Sequence, residues 1–300
     1  MKKTLIWIAA VLLTLGSSVY QRMTGPTHPL RAAVETAAGQ RQDFRLPRSG
    51  GPEAVRVTVP VRDVAAYSGA STAAWTEAAP ARIYYKHYPE VPGEAYMTRE
   101  MRATGDGVWE AWLPALPAAG KWQYYVEAEG VTYPAAGEAV VLRFKGEVPA
   151  ACLIPHILFM FLSMLFITVA GGFALCRLAT YRKYLYLGLA SLLLGGFVFG
   201  PLVQHYAFGP YWTGFPLGMD LTDNKTLIML LALMAAWGFE VFGKRLSGRR
   251  WATVAATVIV WVVFLIPHSL YGSERDPQSG ALGTASGPAA PVQTEIQADR

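Results

Sequence analysis

The sequence is poor in charged residues and nearly devoid of cysteine. Asp, Glu, Lys and Arg make up only 16% of its 300 residues, against about 25% in an average soluble protein. The two cysteines, Cys152 and Cys176, fall in one apolar block and would lie roughly 36 Å apart along a helix, so they cannot pair with each other. No cysteine occurs between residues 28 and 147. We therefore expect a fold without disulfides.

The signatures of common soluble chemistries are also missing. The chain contains no P-loop, no G-x-S-x-G, no C-x-x-C or C-x-x-C-H and no H-E-x-x-H, so the sequence points to no catalytic motif. If the chain takes part in a reaction, we expect it to be a redox subunit. The net charge of +5 does not indicate a nucleic-acid partner, because the basic residues of the second half lie in short loops between apolar blocks.

What the chain has in quantity is apolar sequence, 53% of its residues. Its distribution predicts a membrane protein with a signal anchor or signal peptide at 1–22, an extracytoplasmic all-β Ig-like sandwich at 28–147, a four-span α-helical transmembrane bundle at 148–272 and a disordered C-terminal tail at 273–300. The first segment begins with two lysines and continues apolar, without a clean small-x-small cleavage site. This favours an anchor, with a cleaved signal peptide as the alternative.

Basic residues predict how the four spans are oriented. The spans are expected at roughly 149–175, 184–207, 226–242 and 251–270. The first and third connections carry Lys and Arg but no acid, whereas the 206–224 connection has no Lys or Arg and contains Asp220 and Asp223. Since positive loops stay in the cytoplasm, we expect a protein of the bacterial cytoplasmic membrane. Its β domain, the 206–224 connection and the tail would be periplasmic, and the lipid bilayer would be one of its partners.

Short alternating segments predict the β domain. Strands are expected at 55–59, 82–88, 109–113, 121–129 and 139–144, with turn residues between them. Their aromatic residues are expected to serve mainly core and cross-strand packing: Trp109, Trp112, Trp122, Tyr124 and Tyr125. Six or seven such strands are typical of a β-sandwich. His87, on one of these strands, is expected to be a surface residue.

Residues 84–130 carry a recognisable pattern, M…G-D-G-x-W-x-A-x-L-P followed by A-G-x-x-x-Y-Y-V-E-A. In this pattern the chain resembles the Ig-like and fibronectin type III-like domains of bacterial exported proteins. The resemblance covers only roughly residues 80–130, and the membrane half resembles no family. It implies a sandwich fold and no function, since such sandwiches have many roles. By default we expect such a module to bind a partner or to space the helical bundle from one.

Three of the five histidines are predicted to lie at one depth, near the outer membrane face. His156 begins the first span of the bundle, His205 ends the second and His268 ends the fourth. Met160 shares a helix face with His156, and an imidazole above a thioether suits a soft ion such as copper. Two imidazoles could instead hold a b-type haem. One hypothesis is therefore a haem b, copper or zinc site on these four residues, for electron transfer or metal handling.

The long aromatic connection at 206–224 begins at the second of these histidines. It is expected to form an interfacial belt, or to fold over the histidines as a lid. Asp223 is expected to cap the next helix, which leaves Asp220 as a further candidate metal ligand or a partner of one. Glu274 is another carboxylate within reach. Glu240 is expected to form an ion pair with Lys244, one turn further along its helix.

The same histidines have a structural explanation. A histidine at the membrane boundary can simply place its polar tip in the wet layer, and methionine is ordinary packing material in helices. Pro155, Pro201 and Pro267 suit positions near helix ends. On this second hypothesis the chain is a non-catalytic membrane subunit or assembly factor, whose β-sandwich docks a membrane or periplasmic protein. The sequence leaves both hypotheses open.

Overall fold

The computed structural model describes residues 1–62, 81–135, 138–267, 272–284 and 292–293. The chain divides into two compact units. A helical unit comprises residues 1–26 and 147–272, and a β unit comprises residues 27–146 and 273–300. Each unit has a hydrophobic core of its own. Together they give the architecture that the sequence predicts in outline, a membrane protein with a β domain.

The β unit is built from short strands before and after the helical unit. They are β1 (Leu30–Glu35), β2 (Arg41–Leu46), β3 (Ser49–Gly50), β4 (Val55–Pro60), β5 (Ala81–Tyr88), β6 (Met97–Glu100), β7 (Arg102–Ala103), β8 (Val108–Leu113), β9 (Lys121–Ala128), β10 (Val131–Tyr133), β11 (Glu138–Phe144), β12 (Ser273–Arg275), β13 (Leu282–Thr284) and β14 (Val292–Gln293). One sheet has the order β14-β11-β9-β5-β6, with β10 and β3 paired to it, and a second has the order β4-β8-β7. The hairpins β1–β2 and β12–β13 are separate.

The two main sheets share one hydrophobic core because alternate residues of their strands point to the same face. Val57 of β4, Ile83 of β5 and Tyr124 of β9 are fully buried in it, and Trp109 of β8 is nearly so. Trp112 has the opposite orientation, three residues along β8, and is 48% exposed. The predicted strands are confirmed with ends that shift by one residue, and Trp112 lies outside the core, opposite Arg56 of β4.

The predicted disordered tail contains short strands within its described residues, 273–284 and 292–293, and its other residues lie outside the described part of the chain. Residues 273–284 form the β12–β13 hairpin and belong to the β unit. Ser273 and Glu274 are buried, and Glu274 pairs with Lys121 of β9. The Arg143 guanidinium donates to the Ser273 carbonyl over 2.6 Å. Pro, Gly and Ser favour turns and coil in isolation, but contacts with distant strands determine the structure here.

The helical unit contains α1 (Lys2–Thr24), α2 (Ala150–Leu175), α3 (Tyr181–Leu192), a π-helical segment (Leu193–Phe199), α4 (Gly200–Phe208), α5 (Leu221–Phe242) and α6 (Leu246–Leu265). The segment from α3 to α4 is continuous. Within the described part of the chain, five helical segments are thus long and apolar enough to cross a membrane. We call the end that carries the 209–220 connection between α4 and α5 the loop end. The opposite end, with Arg177 and Arg249, is the arginine end.

Two helix boundaries differ from the predicted spans for local reasons. Helix α5 starts at Leu221 instead of residue 226, because Asp220 supplies the cap that fixes its first turn. Helix α6 ends at Leu265 instead of residue 270, because Ile266 precedes Pro267 and takes an extended backbone conformation. Pro201 lies just after the π-helical segment. It cannot donate to the carbonyl four residues back, and a wider helical turn is a known way to accommodate such a gap.

Helix α1 is packed as part of the helical unit. Trp7 meets Tyr184 edge to face, with ring centroids 5.4 Å apart. Ala10 is fully buried in a small cluster with Phe173 of α2. Gly172 of α2 faces Ile6, and a Cβ on that glycine would come within 2.7 Å of the Ile6 side chain. The absent side chain lets α1 approach α2 closely, as glycine does in membrane helix pairs.

Candidate functional site at the loop end

His156 lies where α2 faces the π-helical segment. Its Nδ1 is 2.8 Å from the Gly195 carbonyl oxygen, which also accepts the Gly200 amide in the wide π turn. A bond between the imidazole and the carbonyl requires the proton to lie on Nδ1, so Nε2 keeps its lone pair. The imidazole is half-buried. His156 therefore ties α2 to a stretch of helix whose regular hydrogen bonding is interrupted.

The helix face that His156 shares with Met160 is a helix contact. A Cβ on Gly195 would come within 2.9 Å of the Met160 backbone nitrogen, and one on Gly196 within 3.6 Å of its sulfur. One turn further, the buried Ser163 hydroxyl donates to the Gly188 carbonyl over 2.9 Å. The predicted shared face is confirmed. Its side chains pack and bond against the α3–α4 segment.

His205 has a different environment. Its ring stacks on Tyr211 with centroids 4.1 Å apart and planes inclined by 4°. Its Nδ1 bonds to the carbonyl of Gly209, the residue that ends α4. His205 therefore caps its own helix, and Tyr211 of the following connection covers one of its faces.

The two described histidines do not face each other across the bundle. Gly200 lies beside the His156 ring, with a Cβ position 3.7 Å from it. His205 follows Gly200 by five residues of α-helix, which is about 140° further around the axis. His268, the third predicted ligand, lies outside the described residues. Within the residues that the structure describes, no group of three or more His, Cys, Asp or Glu side chains is arranged to hold a metal ion.

The two aspartates, Asp220 and Asp223, both have roles other than the predicted ones. Asp220 is the N-cap of α5 and accepts the Thr222 amide over 2.8 Å, although the sequence predicts that role for Asp223. Asp223 instead reaches back to the connection, where it accepts the Thr213 amide at 2.6 Å and the Thr213 hydroxyl at 3.1 Å. Asp220 is only 3% exposed. The proposed ligand is thus engaged in capping a helix, which the sequence assigned to its neighbour.

Lys225 is a residue of this site that the sequence reasoning did not single out. It lies in the second turn of α5 and is only 7% exposed. Its Nζ donates to the carbonyl of Ile266 at 2.9 Å and of Pro267 at 3.3 Å, just beyond the end of α6. A cation at a helix C-terminus is favourable because it satisfies free carbonyls and complements the helix dipole. Lys225 directly precedes residue 226, the predicted start of a span, and a lysine at that position could have been recognised from the sequence.

Helix α1 contributes to the same helix end. The Gln21 amide donates to the carbonyls of Phe264 and Ile266, the latter at 3.1 Å. The Tyr20 hydroxyl donates to the Leu265 carbonyl over 3.0 Å. In a membrane, unpaired carbonyls are costly, and the end of α6 has partners from two other helices. The polar residues of the loop end therefore fix where α1, α5 and α6 end relative to one another.

Two predicted acidic contacts are replaced by others. At the arginine end, Glu240 is buried and pairs with Arg182 at 2.7 Å and with the Tyr181 hydroxyl, instead of with Lys244. Glu274 belongs to the β unit, where it pairs with Lys121. The i, i+4 spacing predicts a partner for Glu240 on its own helix, but Glu240 pairs with Arg182 of α3 instead.

Comparisons with known proteins add no relative. No protein family, no curated protein and no solved structure matches the chain.

Proposed function

We propose that the protein is a non-catalytic membrane subunit or assembly factor, which is anchored by its helical unit and binds another protein through its β unit. The observation that carries this proposal is that the candidate ligands already have structural partners. His156 bonds to Gly195, His205 to Gly209, and Asp220 caps α5. Met160 packs in the α2 contact. Because Asp220 and Met160 are engaged in helix contacts and the two described histidines lie on different helix faces, these residues support a scaffold.

The proposed topology places the β unit on the periplasmic side of a bacterial cytoplasmic membrane. The basic residues of both short connections belong to the arginine end, and positive loops stay in the cytoplasm. The chain runs between the two units after α1, before α2 and after α6, which are all helix ends of the loop end. The α1 contacts support a retained anchor followed by four further spans. The strand pairing supports an Ig-like sandwich as the binding module.

Site-specific photo-crosslinking in native membranes tests the proposal. Benzoylphenylalanine is placed at Trp112, an exposed residue of β8, in the full chain. We expect one discrete adduct, identified by mass spectrometry. The same adduct should form when the probe is placed at Met97 of β6, which is also exposed. The same probe at Leu187, an exposed apolar residue of α3, is the matched control and should give no such adduct. If the exposed positions of the β unit form no adduct, partner binding is wrong.

The second candidate function is a metal or b-type haem site for electron transfer or metal handling. One observation favours it: His156 and His205 both bond to a backbone carbonyl through Nδ1. Metal-ligating histidines are held in this way, with Nε2 toward the ion. A site shared by these two does not fit their different helix faces. The residues that would hold the group are therefore His156 with His268, and Met160 as a further ligand.

Absorption spectra and metal analysis of the purified full chain separate the two candidates. On the scaffold proposal, neither a Soret band nor one equivalent of copper or zinc accompanies the protein. A Soret band or a stoichiometric metal that is present in the wild type and lost in His156→Asn would reject the scaffold proposal. His87→Asn, in the β unit, is the control for nonspecific loss.

A further inference from the structure

The connection between α4 and α5 carries an exposed apolar apex at residues 215–219. Phe215 is 63% exposed, Leu217 77% and Met219 70%, and Pro216 between them is also exposed. No Lys, Arg, Asp or Glu occurs from Tyr206 to residue 219. Single exposed apolar residues are ordinary, but a contiguous group of this kind indicates a binding surface or a membrane contact.

The backbone amides of Phe215, Leu217 and Gly218 in this apex have partners within the helical unit. The amides of Leu217 and Gly218 both donate to the Gly214 carbonyl at 2.9 Å. The Phe215 amide donates to the Asn224 side chain at 2.7 Å, and the Asp220 amide to the Thr213 carbonyl at 3.0 Å. Pro216 has no amide to satisfy. Internal pairing of backbone donors is what a segment needs in order to enter an apolar phase, where water cannot replace missing bonds.

The shape of the apex is fixed by close contacts with α5 and within the connection itself. A Cβ on Gly214 would lie 2.7 Å from the Asp223 Cβ, and one on Gly218 would overlap the Thr213 carbonyl oxygen. The Trp212 indole donates to the Phe215 carbonyl over 3.1 Å. These contacts hold the apolar side chains outward in one arrangement, so that no ordering is needed when they meet their partner.

Chain connectivity places the apex at the membrane interface. It lies between two helical segments, Tyr181–Phe208 and Leu221–Phe242, which are long and apolar enough to cross a bilayer. A short connection between two such segments begins and ends at the depth where the hydrocarbon meets the headgroups. The lack of basic residues argues against recognition of anionic headgroups, which relies on Lys and Arg.

We propose that the 215–219 apex inserts into the headgroup–acyl boundary of the bilayer that the helices cross, with phospholipid acyl chains as its partner. The apex then acts as a second contact with the membrane and fixes the depth of the loop end. This proposal depends only on the helical unit and does not rely on the function proposed for the β unit.

Spin labelling of the full chain in phosphatidylcholine nanodiscs tests the insertion. Cys152 and Cys176 are replaced by serine, and a single nitroxide is attached after Leu217→Cys or Met219→Cys. Gln42→Cys, on the exposed face of β2, is the aqueous control. Ile228→Cys, 48% exposed on α5, is the lipid-facing control. Power saturation then compares collisions of each label with oxygen and with a water-soluble nickel chelate.

We expect the labels at 217 and 219 to collide with the chelate roughly tenfold less often than the label at 42, because a polar complex is excluded from an apolar phase. Their collisions with oxygen should stay as frequent as at 228. Chelate collisions equal to those at 42 would place the apex in water and overturn the proposal. Loss of both kinds of collision with dipolar broadening would show that a second copy covers the apex, and would overturn it as well.

Discussion

At the scale of single residues, buried polar groups at the loop end serve the ends of helices. Lys225 shows the principle, because a cation is buried where α6 presents free carbonyls. Removing it takes the Lys225 donor from the Pro267 carbonyl and leaves the Ile266 carbonyl with Gln21 alone. The cost of a buried group that loses its partner exceeds the worth of an average hydrogen bond. Lysine at this position is therefore explained by stability alone.

Lys225→Met should destabilise the helical unit by about 1.5–3 kcal/mol, the range for hydrogen bonds that involve a charged group. Lys244→Met removes the same charge from an exposed position and is the matched control. Thermal unfolding of the full chain in detergent, followed by circular dichroism at 222 nm, should show a lower midpoint for the first variant only. Equal midpoints for both variants would contradict the capping role.

A carboxylate of the β unit provides a pH-dependent contribution. Glu90 accepts hydrogen bonds from Lys86 Nζ at 2.9 Å and Gln123 Nε2 at 3.0 Å, which lower its pKa below the ordinary 4.5. Because the folded-state pKa lies below that of the unfolded chain, the carboxylate stabilises the fold fully above about pH 4.5. That stabilisation is lost as the pH falls through the folded-state pKa.

The Glu90 pKa is measured by carbon-detected NMR of the side-chain carboxyl in the full chain, with Glu90→Gln to assign the signal. We expect a midpoint below 4.5 in the wild type and a rise toward that value in Lys86→Met, since Lys86 is the strongest cause of the shift. Arg41→Met removes a distant exposed cation and should leave the midpoint unchanged. A midpoint that does not respond to Lys86→Met would contradict this assignment.

At the scale of secondary-structure elements, close contact between α2 and the α3–α4 segment depends on glycine. Gly195 is the clearest position, because an added Cβ would meet the Met160 backbone nitrogen, which cannot move without displacing α2. Gly196, one residue further along, comes closest to Thr226 of α5 instead, so the two neighbouring glycines face different helices. The π-helical turn changes which residues face α2 and so explains the difference.

Gly195→Ala should lower the stability of the helical unit by about 1–3 kcal/mol, as overpacking of a tight contact does. Gly238→Ala is the control, because nothing lies within 4 Å of a Cβ at that position of α5. There alanine should stabilise the helix by up to about 1 kcal/mol. We expect the thermal unfolding midpoint to fall for Gly195→Ala and to rise for Gly238→Ala. Midpoints that shift in the same direction for both variants would reject the packing argument.

At the scale of the whole molecule, the chain leaves the β unit to form the helices and returns to it afterwards. The β12–β13 hairpin buries Glu274 against Lys121, and the Arg275 amide donates to the Ala119 carbonyl over 3.1 Å. Burial lowers the pKa of Lys121, while Glu274 opposes this effect. Glu274 of the returning segment therefore offsets part of the cost of burying the Lys121 charge.

Truncation after Gly272 should make the β unit more sensitive to protease than truncation after Thr284, because only the first variant leaves Lys121 buried without its partner. Both truncated variants keep the whole helical unit. Limited proteolysis of the two in detergent, with mass spectrometry of the fragments, measures the difference. We expect earlier cleavage between residues 81 and 135 after the shorter truncation. Equal resistance would show that the hairpin contributes nothing to the β unit.

Periodicity and composition were sufficient to predict the strands of the β unit and the apolar helices. Both depend on local patterns, the alternation of side chains along a strand and the length of an apolar run. Helix ends were less accurate by up to five residues, because the length of an apolar run does not include the polar residues at a helix start, such as Asp220 and Lys225 of α5.

The sequence by itself therefore determined the two-part architecture, since burial of apolar residues follows from their order along the chain. Only the tertiary structure decided which polar groups meet. It paired Glu240 with Arg182 and Glu274 with Lys121, and it directed Asp223 back to Thr213 and His156 to the Gly195 carbonyl. The physical reason is that a hydrogen bond requires contact within about 3 Å, and residues distant in sequence reach that contact only through packing.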